Sequence, residues 1–142
     1  MAYWRLDPEV PGGWGDRIET TRGADGQPIV QRMHYEFGWG WLGDELITAH
    51  PVFMVTTALA DTLRASALTG FRLSDDLEVT TDDQVLEVDP DWVAPTLEWL
   101  QVDGGAGVAD FGLADHQLVV SDPALAVLRR HQLDHCDVEP YP

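Results

Sequence analysis

The stretch Leu118–Val138, LVVSDPALAVLRRHQLDHCDV, decides how the chain is read. Leu118, Val119 and Val120 form a short apolar β-run. Ser121-Asp122-Pro123 stops it and opens a helix: a short polar side chain accepts otherwise unpaired N–H groups, and proline suits the first turn. Leu125 and Leu128 lie three apart on one helix face, and Arg129-Arg130 follow near the C-terminal end, where the helix dipole favours cations. Cys136 and Val138 then alternate with Asp137 and Glu139, the pattern of a half-buried strand.

The same sentence occurs earlier. Val55–Leu73, VTTALADTLRASALTGFRL, aligns without gaps to Val120–Val138. Val55 matches Val120, Leu63 matches Leu128, Arg64 matches Arg129 and Leu68 matches Leu133. Thr56 stands at the capping position of Ser121, and Phe71 and Leu73 stand at those of Cys136 and Val138. The shared cap, helix face, arginine and following strand predict a repeated β–α–β unit, residues 55–73 and 120–138, within one mixed sheet. Two copies are too few for a solenoid.

Outside the repeat, Ala2–Leu6 and Ile29–Phe37 read as strands. In the second, Ile29, Met33, Tyr35 and Phe37 alternate with Arg32, His34 and Glu36. Gly38-Trp39-Gly40-Trp41-Leu42-Gly43 is a loop presenting two indoles, and Asp44–Ala49 is expected as a helical turn leading to His50-Pro51. Leu77–Thr80 and Val85–Val88 read as a hairpin around Thr81-Asp82-Asp83-Gln84, and Pro95–Leu100 as a short helix. No linker interrupts the pattern, so residues 1–142 are expected as a single domain of the α+β or mixed α/β class with few short helices.

Charge is the most unusual property. The net charge is −17, from 25 acidic and 8 basic residues. Every basic residue is arginine. Between Arg72 and Arg129 there is neither Lys nor Arg, while 13 Asp and Glu fall in that interval. Such a field repels nucleic acid and anionic membranes and favours a cationic protein partner. No apolar run approaches the ~20 residues of a membrane span. Residues 1–10 show no basic-then-apolar leader, and the one cysteine fits a reducing compartment, so a cytoplasmic location is expected.

Catalytic and cofactor motifs are few. His131 and His135 are four apart, next to Cys136, but the helix ends before His135 and a fourth zinc donor at fixed spacing is missing. Cys136 occupies an inward strand position and reads as a small hydrophobe, not a nucleophile. Gly104-Gly105-Ala106-Gly107 lacks a phosphate-binding lysine and reads as a loop. No catalytic residue, cofactor or metal is expected. The candidate partner-binding residues are the acids of one segment, Asp75, Asp76, Glu78, Asp82, Asp83, Glu87, Asp89 and Asp91, with Trp39 and Trp41 as anchors. Indoles among glycines serve either as interface anchors or as covers folded back over a sheet, and both readings stand for these two. Trp4, Trp92 and Trp99 neighbour apolar residues and are expected in the core.

The doubled strand–cap–helix–Leu-Arg–strand pattern, over residues 52–73 and 108–138, resembles small bacterial immunity proteins that accompany polymorphic toxins. Small size and acidic bias are similar as well. The Cys-x-x-Cys-Gly motifs of one related group are absent. The resemblance implies a non-enzymatic inhibitor of a cognate toxin, made in the toxin-producing cell; no functional residue carries over by motif. Two other readings use the same residues: a nucleic-acid mimic that occupies a DNA- or RNA-binding protein, and an enzyme working through carboxylates or His34, His50 and His116.

Overall fold

The computed structural model describes residues 1–142. In chain order they form β1 (Tyr3–Asp7), β2 (Gly12–Trp14), β3 (Glu19–Arg22), β4 (Pro28–Phe37), β5 (Leu46–Ala49), β6 (Val52–Thr56), α1 (Thr57–Arg64), β7 (Phe71–Ser74), β8 (Leu77–Thr81), α2 (Asp83–Val88), β9 (Leu97–Val102), β10 (Phe111–Ala114), β11 (Gln117–Ser121), α3 (Asp122–Leu128) and β12 (Asp137–Tyr141). The class is mixed α+β, dominated by strands.

Helices α1 and α3 begin where their hydroxyls can cap them. The Thr56 side chain accepts the Leu59 N–H, and the Ser121 side chain accepts the Ala124 N–H. Each hydroxyl also donates to a carboxylate, Thr56 to Glu45 and Ser121 to Asp110, both at 2.6 Å. Both caps are therefore fixed from two sides. Leu63 and Leu128 are almost wholly buried.

The expected single sheet is replaced by three. One has the order β10-β11-β1-β12, a second β5-β6-β9-β7, and the third is built on β4. The strands flanking each of α1 and α3 do not pair with each other. β9 lies between β6 and β7, and β1 lies between β11 and β12, antiparallel to both neighbours in each case. In the third sheet β2 and β3 pair antiparallel with β4, and β8 runs parallel to Met33–Phe37.

Two apolar clusters join the sheets. The larger holds α1 and α3 against the inner faces of the first two sheets, through Leu6, Phe53, Val55, Leu63, Leu100, Phe111, Leu118, Val120 and Leu128. The smaller packs Met33, Tyr35 and Phe37 of β4 against Ile47, Val52, Met54 and Trp99. The β5-β6-β9-β7 sheet is thus covered on both faces: alternate residues of β6 enter opposite clusters. This double burial removes the polar alternation that marks a one-sided strand. It explains two corrections. Asp44–Ala49 contains strand β5, not a helical turn, and Pro95–Leu100 leads into strand β9, not a helix. A third correction has another cause. The expected hairpin at 77–88 is β8 followed by α2, because Asp82 accepts the Gln84 N–H at 2.8 Å and starts a helix in place of a turn. Only Val85 of α2 is buried.

Candidate functional site

The parallel pairing of β8 with β4 divides the acidic segment into two ends. β8 begins opposite Met33 and ends opposite Phe37. Asp75, Asp76 and Glu78 lie at the first end, around a shallow depression that also holds Arg17 and Arg32. Arg17 grips Glu78 in a fork: Nε lies 2.7 and 2.9 Å from the two carboxylate oxygens, and one terminal nitrogen 2.6 Å from the second. These hydrogen bonds, with the adjacent positive charge, hold the Glu78 carboxyl below its ordinary range. In chain order no cation interrupts the segment; in space Arg17, 61 residues away, neutralises one of its members. Glu78 is therefore a paired residue, not a free contact.

At the other end the acids are unpaired. The Asp82 N–H donates to the Phe37 carbonyl at 2.8 Å, which joins the start of α2 to the end of β4. Asp82 itself is engaged as the α2 cap. Asp83, Glu87, Asp89 and Asp91 are exposed, and none of them is ion-paired.

The tryptophan loop meets these acids through Phe37. Trp41 folds inward: its ring lies 5.9 Å from that of Phe37 and its N–H donates to the Asp44 carbonyl. Trp92, expected in the core, is half-buried and sits 5.4 Å from the same Phe37 ring. Trp39 points out and is 58% exposed. Gly40 between them has φ +91°, a left-handed conformation that glycine adopts without strain. The two expected anchors therefore divide: Trp41 is cover and Trp39 is surface. The loop is pinned at Leu42, whose N–H donates to Glu9 at 2.6 Å and whose carbonyl accepts from Gln132 at 2.8 Å.

The remaining candidates are dispersed. Buried His34 accepts the Arg17 backbone N–H on Nδ1 and contacts the Thr80 hydroxyl through Nε2. His50 meets His116 edge to face, and His116 reaches Asp25 at 2.9 Å. His131 bridges Thr62 and Glu45, tying the segment after α3 to α1. His135 is exposed. Cys136 is half-buried against the larger cluster, just before β12, and burial pushes its thiol up to about 12. Two residues of the site escaped sequence reasoning. Arg17 lies in a polar turn with no pattern of its own. Phe37 reads as an ordinary inward position, and nothing local shows that two tryptophans converge on it.

Compared with protein-family models, curated proteins and solved structures, the chain matches none.

Proposed function

We propose that this protein is a non-enzymatic acidic binder that neutralises a cationic protein partner, as an immunity protein neutralises its toxin in the cytoplasm of the producing cell. One observation carries the reading: Asp83, Glu87, Asp89 and Asp91 stand exposed and unpaired in a segment that Trp92 ties to the Phe37 ring, which Trp41 of the loop carrying the exposed Trp39 also meets. Unpaired rim charge accelerates encounter with an opposite surface, and a desolvated aromatic slows departure. The test is isolation of the bound protein from the source cell, followed by association kinetics at two ionic strengths. Replacing these four acids with lysine should slow association and flatten its salt dependence, with less effect on dissociation. An association rate indifferent to salt would sink the reading.

The scaffold is read as two copies of one unit, residues 46–74 and 111–139. Pairing registers support it. Leu46 against Val55 becomes Phe111 against Val120, a shift of 65 (111 − 46), and Ala49 against Val52 becomes Ala114 against Gln117. The strand inserted into each sheet keeps the same register: Leu73 and Phe53 flank Leu100 as Val138 and Leu118 flank Leu6. Glu45–Thr56 and Asp110–Ser121 repeat at the same shift. On this reading the strand preceding each copy enters the sheet of the other: β1 precedes the first copy and pairs with β11 and β12, and β9 precedes the second and pairs with β6 and β7. Folding of either half alone, as a stable monomer without the other, would contradict the exchange.

A further inference from the structure

Eleven large apolar residues are exposed in this protein, and five of them, Trp39, Leu42, Leu86, Val88 and Val93, fall in two short segments, 39–42 and 86–93. Val88 is 74% and Val93 82% exposed. The segments are far apart in sequence, but Phe37 ties both, through Trp41 on one side and Trp92 on the other. α2 is seated by Val85 alone, which turns Leu86 and Val88 away from the core. The Glu9 and Gln132 hydrogen bonds hold the Trp39 loop in place before any partner arrives. Clustered apolar exposure with a polar margin marks an interaction surface, and a preformed one loses less entropy on binding.

We infer that Trp39, Leu86, Val88 and Val93 form the apolar centre of one docking surface, with Asp83, Glu87, Asp89 and Asp91 as its rim, and that its occupant is a protein surface with an apolar projection ringed by Arg or Lys. The inference rests on the reading of a cationic partner and specifies the contact. Charge complementarity selects the occupant: phosphates and anionic lipid headgroups are repelled by the rim, while a purely basic surface would leave four apolar side chains in water. Asp75, Asp76 and Glu78 belong to the other end of β8, beside Arg17 and Arg32, and take no part.

The experiment titrates the isotope-labelled full chain with the peptide Ac-Arg-Arg-Leu-Trp-Leu-Arg-Arg-NH2, against a control whose three central residues are Ser-Gly-Ser. Saturable amide shifts are expected at 38–42 and 86–93, with affinity at least about tenfold above the control. W39A/V93S should lose that advantage while the amides around Val85 and Phe37 keep their positions, and D75N/D76N should change nothing. Equal binding of both peptides, with salt dependence, would leave the cationic-partner reading standing and overturn this contact. So would shifts centred on the groove lined by Ile29, Phe53, Trp99 and Leu113. Absence of salt-dependent binding by either peptide would overturn both.

Discussion

The β5-β6-β9-β7 and β10-β11-β1-β12 sheets have matching registers but different surroundings. The first is buried on both faces, between the helices and β4. The second contributes nothing to the smaller apolar cluster, and on it Arg5 lies 5.7 Å above the Tyr141 ring. The third sheet therefore packs its apolar face on the first of these sheets only, and its contact with the second is polar, His116 to Asp25 at 2.9 Å. It is also the sheet that brings Phe37, the Trp39 loop and α2 together. The lesson is a division of labour: the two sheets with matching registers supply the larger core, and the candidate interaction surface sits on the third sheet.

The strongest way to break this comparison is at the helices. Leu63 and Leu128 occupy equivalent positions in the larger cluster and are equally buried. Truncating either to Ala should cost about 2–5 kcal/mol in denaturant unfolding, as transfer and cavity terms add. Costs differing by more than about 2 kcal/mol would show that the matching registers hide unequal cores.

The paired carboxylates give the next test. Burial opposes the charge of Glu45, but the Thr56 hydroxyl, the Gln132 N–H and His131 outweigh it and leave the carboxyl below its ordinary range. Asp110 is lowered in the same way, burial being overcome by Ser121 and Thr69. A carboxyl lowered in the folded state contributes stability above its unfolded value, near pH 4, and loses it as pH falls through the folded value. Glu45→Gln and Asp110→Asn should each destabilise by about 1–3 kcal/mol at neutral pH, because hydrogen bonds to a charge are weakened. Both variants should also flatten the loss of stability below pH 4. Asp110 has no imidazole partner like the His131 that meets Glu45, so a much steeper effect at Glu45 would locate that asymmetry.

The elements with a local signal were legible in the sequence. β1, β4, the caps at Thr56 and Ser121, and the buried faces of α1 and α3 all follow from local alternation or a hydroxyl before an apolar helix face. β5 and β9 were not, since strands buried on both faces lose their period. Alternation also misread α2, where Asp82 caps a helix whose Val85, Leu86 and Val88 look strand-like. The site was half legible. Its acids and Trp39 stand out by composition. The separation of Asp75–Glu78 from Asp82–Asp91 depends on β8 lying parallel to β4, a long-range pairing with no local signal.

The turns between paired strands sharpen the comparison at a smaller scale. His50-Pro51 joins β5 to β6, and Asp115-His116 joins β10 to β11. In the second turn both residues are left-handed, at φ 51° and 64°. That conformation costs a side-chain-bearing residue about 1–2 kcal/mol, against about 0.5–1 kcal/mol of added chain entropy for glycine. Asp115→Gly should therefore raise stability by about 0.5–1 kcal/mol, measured by thermal unfolding, while His116 keeps its contact with Asp25. A loss of stability would mean that Asp115 makes an interaction its geometry does not suggest.

The smallest effect is expected at Cys136, which stands 65 residues after Phe71 (136 − 71). Phe71 meets Phe111 edge to face, ring centroids 4.9 Å apart, and Cys136 packs against the same large cluster. A thiol pushed up to about 12 by burial is almost entirely protonated at pH 8, and the thiolate is the reactive form. Modification of the native protein by a disulfide reagent at pH 8 should be more than about tenfold slower than in denaturant. Cys136→Val, similar in size and apolar, should shift stability by less than about 1.5 kcal/mol. Rapid native labelling would show that the segment before β12 opens readily, and would count against the proposed equivalence of Cys136 with Phe71.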